Sequence, residues 1–263
     1  MTSRGLFSFI KDSPAYKNSE KNWHVELASY TVFWFDLLIN SPQGIDFQKV
    51  AADYLRIYRD AVKKDNDKRF VYFIVARQKV RFSARKTPRY SLTKRELIIY
   101  FEIGKKRKIR KIRFPAVPSM IGPRLPIIVD DGRFISIWGS DQCQPVRVSV
   151  HDFLMEGNIN LGIDTEVLYV GSTDDPASRP LKRDHRGYSD SLYGTPTDEK
   201  DIFVYYNLLK TTSVTKTSPY LLSFAVSNSV IDEVQKMEEG MLLEHGLIHY
   251  FGTKSQEPGE KQS

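Results

Sequence analysis

The 263-residue sequence predicts an α+β protein, a basic mixed-sheet N-terminal module followed by a second module on a short central sheet. Three observations lead there. Hydrophobic residues make up 41% of the chain, which is enough for a genuine core. Short runs of β-branched and aromatic residues recur between Pro, Gly and Asp punctuation, as strands do, and at least one segment carries helical apolar spacing. The charge is also uneven. Lys63 to Arg113 holds 19 basic and four acidic residues, a local +15 that leaves −8 for the remainder of a chain totalling +7.

The elements follow in order. Residues 23–39, "WHVELASYTVFWFDLLI", are aromatic and β-branched and read as strand. Phe47, Val50, Ala51, Tyr54, Leu55, Tyr58 and Val62 then recur at three- and four-residue spacing behind Asp46, so 47–64 is a capped amphipathic helix. "FVYFIVARQKVRFSAR", "ELIIYFEI" and "KIRKIRF" read as strands, and an antiparallel sheet with one basic, solvated face follows. "FPAVPSMIGPRLP" is a connecting loop over 114–126, with short strands at "PIIVDD" and "RFISIW" beyond it. The dense basic pattern has ended by residue 145, which sets expected modules at 1–145 and 146–252. The second contains strand "TEVLYVG", a loop, a helix around Leu181 to His185, strands "DIFVYYNLL" and "YLLSFAV", and a final helix from Ser229 to Phe251. Ser229 and Asp232 mark its start. The tail, 253–263, has almost nothing apolar and reads as disordered.

Several function classes drop out. Asp36 interrupts the longest apolar stretch, "YTVFWFDLLI", so a membrane-spanning helix is not expected. The N-terminal apolar patch is too short for a secretory segment, and a cytoplasmic location is the expectation. Cys143 stands alone, which excludes an intrachain disulfide or a multi-cysteine zinc site. GxSxG, GxxxxGK[ST] and GxGxxG are all missing. The basic region points either to a polyanion, DNA first and RNA second, or to a merely solvated face. Lys105, Lys106, Arg107, Lys108, Arg110 and Lys111 are its densest cluster, and Tyr72, Phe73, Phe82, Tyr90, Tyr100 and Phe101 are interleaved along the region.

Two further stretches carry chemistry. In the final helix Glu244 shares a stripe with Met237, Met241, Ile248 and Phe251, so a carboxylate faces the core. Such a group requires a cation, a metal or a hydrogen-bond donor, and a salt bridge to arginine is the plain alternative. His245 and His249 have zinc-pair spacing but turn toward the polar side beside Glu238 and Glu239, without an HExxH pattern. Earlier, "LYVGSTDDPASRPLKRDHRG" brings Tyr169 to a strand end at Gly171, where a ligand or backbone can approach. A turn at Asp175–Pro176 and a helical turn at Pro180 then carry Arg179, Arg183 and His185 toward that end. Taken singly, the tyrosine reads as core, the arginines as surface and the histidine as a cap.

Together, "LYVGST…DDPASRPLKRDH" and the later "EHGLIHYF" resemble the GIY-YIG nuclease superfamily over residues 146–252. Tyr169, Val170 and Gly171 match the second signature, with Val for Ile. Arg179 follows at the family's interval, His185 lies further on than usual, and Glu244 with Leu247 and Ile248 matches the metal-binding helix. The first Gly-Ile-Tyr signature has no counterpart, since no tyrosine lies between Val146 and Glu166, and "VRVSVHDFL" stands in its strand's place. The resemblance implies a small α/β/α sandwich and a divalent-metal-dependent DNA endonuclease. Glu244 would hold Mg²⁺ or Mn²⁺, Arg179 with Arg183 would contact phosphate, and Tyr169 with His185 would activate water. The alternative it leaves is a nucleic-acid-binding protein whose nuclease-like domain is inactive, and a protein-interaction scaffold is the third reading.

Overall fold

A computed structural model describes residues 4–42, 44–63, 68–91, 93, 95–115, 124–139, 144–173, 189–191, 194–217 and 222–253. Helices and antiparallel strands both occur, as an α+β chain requires. The chain forms two compact units, but not on either side of residue 145. Unit 1 comprises Met1–Ala76, Glu166–Thr195 and Ile202–Ser263, and unit 2 comprises Arg77–Thr165 and Pro196–Asp201. Strand pairing is the physical reason for the difference. Strand β1 (Glu20–Trp34) is hydrogen-bonded antiparallel to β11 (Lys200–Thr217), from Glu20 opposite Lys216 to Trp34 opposite Phe203, with one register shift between Leu27 and Ser29. The first strand of the chain therefore belongs with residues almost two hundred positions later.

In unit 1 the sheet order is β1, β11, β2 (Lys68–Gln78), β10 (Thr165–Ser172), and β12 (Leu222–Ser227) pairs antiparallel with the far end of β11. Successive residues of each strand serve opposite faces. On one face Tyr72, Ile74, Tyr169, Val204 and Tyr206 pack with Leu55 of helix α3 (Phe47–Lys63). On the other, Val71, Val170 and Leu209 pack with Leu243 of the last helix. Asp46 caps α3 as expected, its Oδ1 accepting the Lys49 amide at 3.0 Å. The expected strand over 23–39 ends at Trp34, and Phe35–Ile39 is a short helix α2, following α1 at Pro14–Lys17.

Unit 2 holds two smaller sheets. In the first, β5 (Glu96–Ile103) lies between β6 (Lys108–Pro115) on one edge and β3 (Val80–Phe82) and β4 (Arg89–Ser91) on the other, all antiparallel. In the second, β7 (Ile127–Val129), β8 (Phe134–Ile137) and β9 (Val146–Ser149) form an antiparallel meander. "VRVSVHDFL" is strand only as far as Ser149. There the Ser149 hydroxyl accepts the Asp152 amide at 3.1 Å and starts helix α4 (Val150–Glu156), because a serine cap satisfies an otherwise unpaired N–H. Phe153 of α4 packs its ring 5.7 Å from Phe82 and 5.4 Å from Phe114, closing the core over β3, β5 and β6. Gly132 makes this fit possible in the β7–β8 turn. It sits at φ 79° with the Phe82 carbonyl oxygen only 2.4 Å from where a Cβ would stand.

The expected helix from Ser229 to Phe251 is two helices, α5 (Asn228–Ile231) and α6 (Lys236–Phe251). Asp232 breaks it in a left-handed conformation, φ 50°. The Asn228 side chain holds the break by donating to Val234 O at 2.9 Å and accepting from Val234 N at 3.1 Å. Arg4 adds bonds to Asp232 Oδ1 (2.6 Å) and Val234 O (2.8 Å). The inward stripe of α6 is also not the expected one. Met237 and Met241 are exposed, whereas Glu239 and Leu243 are buried. Glu239 faces inward because two guanidinium groups await it, Arg69 of β2 at 2.9 Å and Arg4 at 3.1 Å. A buried carboxylate survives desolvation only with such partners. Glu239→Gln is therefore expected to destabilise the protein by about 3 kcal/mol, leaving two arginines short of an anion, as urea denaturation would measure. A change within roughly 0.5 kcal/mol, the range of surface substitutions, would contradict this reading of the triad.

Candidate nucleic-acid interface

The basic residues of β6 do not share one surface. Because side chains alternate, Lys111 and Arg113 leave one face of the β5–β6 pair and Lys108 and Arg110 the other. The second face carries Leu97, Ile99, Phe101 and, from β3, Phe82, and is covered by Phe153. The first exposes Lys111 and Arg113 around buried Ile98 and Glu102. Across it Arg89, Ile98 and Arg113 form one row from β4 through β5 to β6, and Lys111 stands opposite Tyr100 in the next. Lys86 lies over the Tyr100 ring, 5.3 Å from its centroid. Arg89, Lys111, Arg113 and Lys86 are exposed, and Tyr100 is half-buried between them.

The acids on this face, Glu96 and Glu102, are committed to arginines beside them. Burial alone would push the Glu102 carboxyl up, but hydrogen bonds from Arg85 (2.9 Å) and Ser83 (2.8 Å), with the Arg107 charge nearby, outweigh it and hold it below the ordinary range. Glu102 thus stays anionic and fixes Arg85, while Glu96 lies 3.7 Å from Arg113. The remaining cations project into water, where their charge attracts anions.

Of the cluster expected from sequence, Lys105, Lys106 and Arg107 lie in the exposed β5–β6 turn and Lys111 on the solvated face. Lys105 pairs with Glu199, and that hydrogen bond raises its pKa. Lys108 and Arg110 leave by the opposite face, with Arg110 donating to the Leu161 carbonyl. Local sequence pattern does not mark Arg89, Arg113 and Lys86 as a set. Only the pairing of β4, β5 and β6 brings them around Tyr100.

The proposed hydrolytic set, in unit 1, is only partly brought together. Arg179, Arg183 and His185 lie outside the described residues, as do the expected helix near Leu181, most of the 114–126 loop and nearly all of the tail. Tyr169 is 6% exposed and stacks on Tyr72 at 5.9 Å, in the cluster beneath α3. Glu244 approaches from the other face. Its Oε2 accepts the Ser172 amide at 3.0 Å and the Ser172 hydroxyl, so its expected partner is a pair of hydrogen-bond donors. Val170 and Ser172 point toward α6 and Tyr169 away from it, which separates the tyrosine from the carboxylate. Close approach at Gly171 is also intramolecular, since a Cβ there would lie 2.6 Å from the Tyr72 phenol. Among the described residues no group of three or more His, Cys, Asp or Glu side chains is placed to hold a metal ion.

Unit 2 contains a buried charge cluster that gave no sequence signal. Asp201 accepts the Val80 amide at 2.8 Å and Arg81 at 2.7 Å, and His151 Nε2 lies 3.1 Å from its Oδ2. Arg77 donates to His151 Nδ1, so the remaining imidazole proton sits on Nε2, facing Asp201. Burial pushes His151 below its ordinary value of 6.5 against the pull of Asp201. For Asp201 burial acts upward, but His151 and Arg81 outweigh it and hold the carboxyl below 3.8.

No helix among the described residues is long and apolar enough to cross a membrane. No family model, curated protein or solved structure matches the chain.

The histidine's depressed pKa has a defined sign. As pH falls below about 6.5 the unfolded chain takes up the proton first, so stability declines with falling pH, by at most about 1.4 kcal/mol per unit. Unfolding free energies from pH 7.5 to 5.5 are expected to show this decline, and His151→Gln to flatten it. Equal slopes for both proteins would contradict a neutral buried His151.

Proposed function

We propose that this protein binds nucleic acid, DNA first and RNA as the alternative polymer, through the solvated face of the β4–β5–β6 sheet. One observation carries the reading. Arg89, Lys111, Arg113 and Lys86 surround a half-buried Tyr100 on a single face, and Glu102 on that same face is bound to Arg85. Cations so placed exchange a polyanion's condensed counterions for protein charge, and an accessible aromatic edge adds a base contact. Binding then falls steeply with salt. Replacing Lys111 and Arg113 together by Gln is expected to reduce the slope of log K against log salt by about 2 for duplex DNA, as measured by fluorescence anisotropy of a labelled oligonucleotide. Unchanged affinity and slope would reject this face.

A second reading has its own support. The Glu244–Ser172 contact brings a carboxylate of the last helix to the end of the Tyr169-Val170-Gly171 strand, the pair of features on which the GIY-YIG resemblance rests. In that reading the protein is a phosphodiester hydrolase, with Glu244 as the ligand to Mg²⁺ or Mn²⁺. The described residues alone do not fit such an ion, since Mg²⁺ takes several oxygen ligands and Glu244 offers one carboxylate already engaged by Ser172. Plasmid nicking in Mg²⁺, lost in Glu244→Gln at unchanged thermal stability, is the expected result of this reading. Nicking at equal rates in both proteins would remove Glu244 from it.

A further inference from the structure

Unit 2 has a half-open cavity of about 800 Å³ on its β5–β6 hairpin, bounded also by residues 161–163 and 199–200. It has two kinds of wall. Ile103, Leu161 and Ile163 supply apolar surface, and Lys106, Lys108 and Arg110 supply positive charge. Lys200 adds a further cation, and Glu199 is the lone acid among the described lining residues, already paired with Lys105. Arg110 is held in place by its bond to the Leu161 carbonyl, so its guanidinium is oriented before any ligand arrives. Lys108 and Arg110 are the residues that strand alternation removes from the solvated basic face, which makes this a separate site.

Size and chemistry narrow the occupant. A bare phosphate or sulfate would satisfy the cations but leave most of the volume and the isoleucine–leucine wall wet. A wholly apolar ligand would strand the cations. Ligand pockets of roughly 300–1,000 Å³ bury a body of drug size against apolar surface, with a few polar groups fixing its orientation. The geometry points to a nucleoside phosphate, with its phosphate on Lys106, Lys108 and Arg110 and its nucleoside against Ile103, Leu161 and Ile163. Arginine's fork suits the phosphate oxygens, and the lysines add point charge. A free nucleotide and the phosphorylated end of a strand present the same chemistry. The inference is independent of the sheet-face reading, because its residues and its probe differ.

Calorimetric titration of the full chain with adenosine 5′-monophosphate, adenosine and inorganic phosphate tests it. The monophosphate is expected to bind at least tenfold more tightly than either fragment. Lys106→Gln with Lys108→Gln, both on exposed side chains, and separately Ile163→Asp, are each expected to weaken it at least tenfold, with folding checked by thermal denaturation. Phosphate binding as tightly as the monophosphate would overturn the proposal, as would monophosphate binding that the lysine pair does not affect. Displacement of bound monophosphate by a 5′-phosphorylated oligonucleotide, but not by its 5′-hydroxyl counterpart, would identify a strand end as the source. Failure of both to displace it would identify the free nucleotide.

Discussion

Successive side chains of a β-strand must leave opposite faces of its sheet, and both units are organised by that constraint. In unit 2 it divides the basic run of β6, sending Lys111 and Arg113 to a solvated surface and Lys108 and Arg110 toward a cavity with an apolar wall. In unit 1 it parts two neighbours in β10. Tyr169 enters the core beneath α3, while Val170 and Ser172 turn toward α6 and meet Leu243 and Glu244. A register slip of one residue would exchange these surfaces, but the apolar partners on each strand forbid it.

Buried ions shape the surface indirectly. Glu239, Glu102 and Asp201 are each nearly inaccessible, and each is held by at least one arginine. Glu102 pairs with the exposed Arg85 and Arg107 and so takes two cations out of the outward charge beside it. The outward charge of the β4–β5–β6 face thus reflects where its few acids went as much as how many lysines and arginines the sequence contains. Pairing is also what makes such burial tolerable, since an isolated charge would be excluded or neutralised.

Local pattern revealed much of this architecture. The Asp46 cap and the spacing of α3 predicted that helix within a residue, and the strands at Glu96–Ile103 and Lys108–Pro115 were legible as alternating or β-branched runs. Long-range pairing was not legible. Composition suggested a boundary near residue 145, whereas β1 joins β11 and places the N-terminal segment in the same unit as the last helix. Apolar periodicity put Glu244 on the inward stripe of one long helix. Glu244 does meet the sheet, through Ser172, but the Arg69 and Arg4 partners that turn Glu239 inward as well come from other elements, and neither they nor the Asn228 bracket that breaks the helix leave a mark in the apolar spacing. Arg89, Lys86 and Arg113 were hidden for the same reason, being neighbours only across strands.

The claim that matters most is that the Tyr100 face touches nucleic acid, and ultraviolet cross-linking of the full chain to an oligonucleotide, followed by mass spectrometry of the digested adducts, tests it at the level of single peptides. Adducts on the strands Glu96–Ile103 and Lys108–Pro115, centred on Tyr100, are the result this account predicts. Adducts confined to peptides of unit 1 would contradict it.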